Sequence, residues 1–458
     1  MTFKFFEELF EIPLRNGLTK PKRIRGEGYK MINMGELFKF PRIKNIPMDR
    51  VPLNAKEYAN SLVEPGDLLF ARQSLVVEGA GQCSIFIEDK EKVCFESHLI
   101  RCRLNKKIAN PLFFYYYFSS RHGKQAISAI VEQGAGAAGV RGSDLAKVLV
   151  PDIDIEIQNE IANVLDQFDN KIEINRQANQ TLEHIAQAIF KSWFVDFEPT
   201  MAKIAAQKEG QDPERAAMAA ISGKSLDELD QLSQEQQVQL KTTAALFPDA
   251  LVDSELGEVP EGWSEKALYE TAEFVNGYAF KAKDFSSDRS GLPIVKIVEL
   301  KNGLSEGTKF TIGEFREKYS IKNDDVLYSW SGSPKTSLEV FKWFGGDAWL
   351  NQHIFKLNFE SEYQKYFTYY LLRHMKPTLI ATAENKQTTG LGHITVADLK
   401  RLLVTYPDEN VLAEFRYTVG PMYEKCSSLD IETRVLAELR DALLPNLLNG
   451  EIKIGKAL

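Results

Sequence analysis

The 458-residue chain repeats itself, and that repetition limits what it can fold into more than any other feature. Asp67-Leu68-Leu69-Phe70 is answered by Asp325-Val326-Leu327-Tyr328, and Glu96-Ser97-His98-Leu99-Ile100 by Asn351-Gln352-His353-Ile354-Phe355. Pro111-Leu112-Phe113-Phe114-Tyr115-Tyr116-Tyr117 is answered by Lys365-Tyr366-Phe367-Thr368-Tyr369-Tyr370-Leu371, and Asp144-Leu145-Ala146-Lys147 by Asp398-Leu399-Lys400-Arg401. The order is kept, and the offset drifts only from about 258 to about 254, as small loop insertions produce. One such pair could arise by chance; the ordered set reads as a diverged tandem duplication.

Each half predicts a mixed α/β domain. Short apolar or alternating runs punctuated by Gly and Asn, such as Pro293 to Val298 and Asp325 to Tyr328, read as strands. An aromatic-rich helix comes next near Leu112 to Tyr117, and again near Phe367 to Leu372. Beyond each domain the period changes. Ile161, Leu165, Phe168, Ile172, Asn175, Asn179, Leu182, Ala186, Ile189 and Trp193 alternate steps of four and three, a heptad seam. The second copy carries Phe415, Val419, Met422, Cys426, Leu429, Thr433 and Leu436. Long helices with an apolar seam need a partner helix, and each is the economical partner of the other. Gly420-Pro421 and Pro445 predict a kink or restart in the second helix, because proline removes a backbone hydrogen bond. The fold class expected is an α/β tandem duplication with two mixed domains joined by two long antiparallel coiled-coil helices. The boundaries fall at residues 1–150, 151–200 (spacer helix), 201–254 (an Ala-, Gln- and Glu-rich polar helical insertion), 255–406 and 407–458 (second spacer helix).

Composition narrows the classes. No stretch approaches the ~18 apolar residues of a membrane span, and the N-terminal residues lack signal-peptide architecture. Cys83, Cys94, Cys102 and Cys426 form no Cys-x-x-Cys pair, which argues against a zinc ribbon or disulfide framework and for a reducing, cytoplasmic setting. With 56 basic and 64 acidic residues the net charge is −8, so the chain does not coat nucleic acid by charge alone, although local basic faces remain open to it.

Catalytic patterns fail their context tests. Gly134-Ala135-Gly136-Ala137-Ala138-Gly139 matches G-x-G-x-x-G, but the next segment, Ser143 to Val150, ends as a strand, and the second copy drops the glycines. Asn110-Pro111-Leu112-Phe113 lacks the second proline of an adenine-methyltransferase motif and reads as a helix cap before aromatic core. Glu384-Asn385-Lys386 has no aspartate partner, and the six histidines show no metal spacing. His98 and His353 hold matching places, read as structural. No catalytic residue, metal site or cofactor site is expected on this chain.

Basic and amide side chains form a better pattern. Lys20, Lys22, Arg23 and Arg25 make a dense patch; Arg72 and Gln73 follow a strand, as Lys335 and Thr336 do in the other copy. Arg141, Lys281, Lys386 and Gln387 complete the set. Arg, Lys and Gln can contact base edges, and Ser or Thr can bond phosphates.

These residues resemble the specificity subunit of type I restriction–modification enzymes. The similarity rests on Phe190-Lys191-Ser192-Trp193-Phe194-Val195-Asp196-Phe197-Glu198-Pro199 and Glu255-Leu256-Gly257-Glu258-Val259-Pro260-Glu261-Gly262-Trp263. Asp325 to Ser333, Asn351 to Phe355 and Arg440 to Ile452 add to it, whereas the first half lacks a Pro-x-Gly-Trp opening. The resemblance implies a non-catalytic subunit whose two target-recognition domains each read half of a split double-stranded DNA site. It implies two methyltransferase subunits that bring S-adenosylmethionine and methylate adenine N6, and restriction/translocase subunits that use ATP and Mg2+. A spacer helix from about Ile161 to Phe194 is roughly 50 Å long. Asn175 and Asn179 fall near Leu429 and Thr433 in an antiparallel pairing, where polar seam residues set register. The alternatives are a duplicated coiled-coil protein scaffold indifferent to DNA and, more remotely, a single-chain adenine methyltransferase.

Overall fold

A computed structural model describes residues 2–134, 136–386 and 391–448. The chain divides into two compact units, residues 2–174 with 432–448, and residues 175–431.

The first unit is built on a five-stranded sheet in the order Phe10–Asn16, Leu99–Leu104, Leu68–Ala71, Cys83–Glu88, Arg42–Lys44, antiparallel except for the last pair. Its centre is an unbroken apolar run, Leu68 to Ala71, buried on both faces, as a central strand requires. Helix Pro111–Ser119 packs on it, and Phe6, Phe70, Phe114 and Phe118 form an aromatic cluster with mostly edge-to-face contacts. The Asn110 side chain accepts from the Leu112 and Phe113 N–H groups with Pro111 in the first turn, so Asn110-Pro111 is a helix cap.

The second unit repeats this plan with four antiparallel strands in the order Glu273–Asn276, Ile354–Asn358, Val326–Ser329, Glu339–Lys342. Helix Glu362–His374 takes the place of Pro111–Ser119. The repeat extends to side-chain chemistry. Asp67 Oδ2 accepts the Glu64 N–H while Arg103 grips the same carboxylate at 2.8 Å; Asp325 Oδ2 accepts the Lys322 N–H and pairs with Lys356 at 3.1 Å. It also extends to two glycines. A Cβ on Gly17 would lie 2.1 Å from the Phe95 carbonyl oxygen, and one on Gly277 2.2 Å from that of Asn351, so only glycine lets these segments approach.

The strand expected over Pro293 to Val298 ends early: strand Leu292–Val295 gives way to helix Ile297–Asn302, because Glu299 caps the Lys296 N–H and starts a turn. The insertion forms helices Glu198–Lys208, Pro213–Ser222, Leu226–Asp230 and Gln234–Ala245, with a small core of Ala217, Met218, Leu229 and Ala244, and then hairpin Leu251–Ser254/Gly257–Pro260.

The two long helices run Ile155–Phe194 and Glu409–Leu448, each 40 residues. The expected restart at Gly420-Pro421 or Pro445 does not occur; helix continues through both. Pro421 and Tyr417, whose carbonyl Pro421 leaves without a backbone donor, are both exposed, so water can take the donor's place. In the first unit Ile161 and Leu165 are buried with Leu444, Leu447 and Leu448; Ile172 is buried, while Phe168 and Leu436 are half-buried. Next to Phe168 the deeper position belongs to Asp169, which pairs with Arg440 and accepts from Tyr116 Oη at 2.8 Å. In the second unit Phe415 packs on Phe190, Trp193 and Phe194; Asn175 and Leu429 are buried, and Leu182, Ile189 and Met422 half-buried. There Asn179 Nδ2 donates to the Cys426 carbonyl and to Asp430, so this seam position is polar and satisfied across the pair, as antiparallel register requires.

Candidate DNA-recognition clusters

In each unit, the strand at the centre of the main sheet runs out into a two-residue strand, and that strand is held by a segment from far along the chain. In the first, Gln73 and Ser74 pair with Gly139 and Ala138, which in turn pair with Glu132 and Gln133. Arg72 is locked from both sides: its N–H donates to the His98 carbonyl at 2.7 Å, and its carbonyl accepts from Val140 N–H at 2.9 Å. In the second, Ser331 and Gly332 pair with His393 and Gly392. Trp330 N–H donates to the His353 carbonyl at 3.3 Å, and the Trp330 carbonyl accepts from Ile394 N–H at 2.9 Å. The backbone circuit is the same twice, with Arg72 and Trp330 at the same station.

Around the first circuit Arg72 and Gln73 are exposed. Arg141, 69% exposed, reaches Glu132 at 2.7 Å. Ala138 and Gly139 of the glycine run pair antiparallel with Gln133 and Glu132, not as a strand-to-helix phosphate loop; Ala135 lies outside the described residues. Around the second circuit Lys335 is 77% exposed, with Glu384 at 3.6 Å, and Thr336 is exposed. Trp330 donates from Nε1 to Asn276 Oδ1 at 3.2 Å and packs against His353 and Phe355. The structure thus brings Arg72, Gln73 and Arg141 together, and Lys335 and Thr336 with the Gly392–His393 strand.

Other candidates are placed differently. Lys20 pairs with Glu57 at 2.9 Å, and Arg25 spans Asn33, Asp49 and the Lys20 carbonyl, so both hold their own loop. Lys22 and Arg23 are exposed in the turn Lys22–Ile24. Lys281 is exposed, its N–H donating to Asp284 Oδ2. Lys386 binds Asp398 and is committed to structure; Gln387 lies outside the described residues. Burial would raise the Asp398 carboxyl, but hydrogen bonds from Lys386, Thr395 and Arg401 hold it well below the usual carboxylate range. With Glu384 facing Lys335 and Lys386 facing Asp398, the Glu-x-Lys triplet forms no site. Among the described residues no group of three or more His, Cys, Asp or Glu could hold a metal ion, and no helix is long and apolar enough to cross a membrane.

His98 and His353, matched in the sequence and read as structural, enter these circuits through their backbone carbonyls, and the segment that starts at Trp330 stands against the one that starts at Arg72, as the repeat offset sets it.

Two α/β units of one plan, each packed on a stretch of the long helices, carry exposed basic side chains around their circuits. Residues 1–184 and 260–411 match the family described as the type I restriction modification DNA specificity domain, and the chain belongs to that family: it is a specificity subunit, the non-catalytic member that recognises DNA sequence. It is 30% identical over 409 residues to the type I restriction enzyme HindI specificity subunit of Haemophilus influenzae, covering 86% of this chain and 88% of that one. It is 24% identical to the MjaIX specificity subunit of Methanocaldococcus jannaschii, over 75% and 69% of the two chains. A solved S subunit of a type I system from M. genitalium aligns over 97% of this chain and 95% of that one, at 15% identity and a TM-score of 0.48. The family assignment does not favour the scaffold reading.

Proposed function

We propose that each unit reads one half of a bipartite target through its circuit, the first with Arg72, Gln73 and Arg141, the second with Lys335 and Thr336, and that Lys22, Arg23 and Lys281 contact phosphates. The observation that carries this is the repeated backbone circuit, which holds Arg72 in the first copy and Trp330 in the second, with Lys335 and Thr336 on the helix Pro334–Ser337 that follows. A backbone held by hydrogen bonds on both sides loses little backbone entropy on binding.

The chain works with two methyltransferase subunits, which supply S-adenosylmethionine and methylate adenine N6, and with ATP- and Mg2+-dependent restriction/translocase subunits. None of these cofactors is held by this chain. The complex acts in the cytoplasm, consistent with four cysteines that are all buried and free. The long helices set the gap between half-sites.

Methylation-aware sequencing of DNA from cells carrying the whole system defines both half-sites, the gap and the modified base. Deleting one heptad from both helices then shortens the gap and leaves the half-sites unchanged; an unaltered gap rejects the spacer role. Exchanging residues 72–74 changes preference in one half-site alone, and a change in both, or in neither, rejects the split reading.

A further inference from the structure

Each circuit carries a leucine that folding leaves in water. Leu75, directly after the Gln73–Ser74 strand, is 90% exposed, and Val76 beside it 60%. Leu391, directly before the Gly392–His393 strand, is 61% exposed. The two leucines sit on opposite partners of the small ribbon, so the second is not a copy of the first.

Both are carried on held backbone. Val76 N–H donates to Ser74 Oγ at 3.2 Å, and the N–H groups of Gly79 and Ala80 donate to the Val76 and Val77 carbonyls, each at 3.1 Å. A Cβ on Gly79 would lie 2.3 Å from Ser74 Oγ, so the loop closes tightly on itself. Next to Leu391, a Cβ on Gly392 would lie 2.8 Å from the Ala383 carbonyl oxygen, which shows how closely that strand presses on helix Lys376–Glu384.

An exposed apolar side chain on a ribbon that also carries cations and amides suits a partner that is anionic overall and apolar at isolated points. Arg72 and Gln73 precede Leu75 in the same segment, with Arg141 toward the other end of the ribbon; Lys335 follows the Ser331–Gly332 strand, and His393 lies in the strand after Leu391. In the major groove the base edges offer donors, acceptors and one apolar group, the thymine 5-methyl. We propose that Leu75, with Val76, and Leu391 each read a thymine methyl, one in each half-site. This rests on the reading of the circuits as DNA-facing.

The test uses the complete methyltransferase complex and duplexes in which deoxyuridine replaces thymidine in one half-site at a time, removing only the methyl. Substitution in the half-site read by the first unit is expected to weaken binding about fourfold, the value of one buried methyl group. Leu75→Ala should bind the normal duplex about tenfold more weakly and lose the deoxyuridine penalty in that half-site only; Leu391→Ala should do the same in the other. A penalty that persists in full in Leu75→Ala, or normal-duplex binding unchanged by it, overturns the proposal. So does loss of partner assembly with the penalty intact, which would assign the tip to a protein contact. Arg72→Ala separates the two failures: if it weakens binding while Leu75→Ala does not, only the methyl reading falls, and if neither does, the DNA-facing circuit falls too.

Discussion

The station occupied by Arg72 in one unit holds Trp330 in the other. Both backbones make the same two hydrogen bonds there, to a histidine carbonyl and from a residue near the end of the domain. The side chains diverge: Arg72 is exposed, whereas Trp330 is half-buried on Phe355 and His353 and tied to Asn276. The neighbouring positions differ too, Gln73-Ser74-Leu75 against Ser331-Gly332-Ser333. A scaffold whose backbone bonds are independent of side-chain identity can exchange the side chains it presents without refolding.

The comparison can be broken first at the helices. Arg440→Met in the first unit removes the nearer of the two cations facing the buried Asp169 carboxylate, leaving Arg42 at 4.0 Å, and should cost about 1.5–3 kcal/mol of stability, measured by urea unfolding of the complex; a midpoint equal to wild type rejects the pairing. Next comes the circuit. Arg72→Ala combined with Gln73→Ala should cost about 2–3 kcal/mol on targets carrying the cognate first half-site, with second half-site discrimination intact. Competition binding against single-base variants reads this out, and equal losses at both half-sites contradict independent readers.

The third prediction separates the units by acid. Asp398 is depressed in the folded state, so its stabilisation is fully present above its ordinary unfolded pKa and is lost as pH falls toward and through the folded value. Wild type should therefore lose on the order of 1 kcal/mol relative to Asp398→Asn between pH 6 and pH 3. Parallel melting-temperature curves for the two proteins would reject it. The smallest effect belongs to the exposed pair in the Lys22–Ile24 turn. Lys22→Ala with Arg23→Ala should weaken all sequences alike and lower the salt slope of binding by about 2, whereas an unchanged slope removes the patch from the DNA face. Lys20 and Arg25, from the same basic cluster, belong to their loop's own bonding and are expected to affect folding instead.

Much was legible in residue order. Duplication is a comparison of a chain with itself, and heptad periodicity is written along one helix, so both needed no knowledge of what touches what. The resemblance motifs, which lie in shared segments, carried the family. Charge type alone could not separate an exposed cation from a strut: Lys20, Arg25 and Lys386 look no different in sequence from Lys22 or Arg23, and only the position of Glu57, Asp49 and Asp398 in space tells them apart. The helix running unbroken through Pro421 has a similar cause. The penalty of a proline depends on whether its turn faces water, and that is set by how the helix packs.

Local pattern thus dictated two copies and two long helices, because each is a property of neighbours along the chain. Which cations were committed to their own loops, that Arg72 and Trp330 are held by the same two backbone bonds, and that Leu75 and Leu391 stay in water came from the folded chain alone. Those properties depend on contacts between residues such as Arg72, His98 and Val140 that lie far apart in sequence, and pairing at that range is a matter of topology rather than of composition or period.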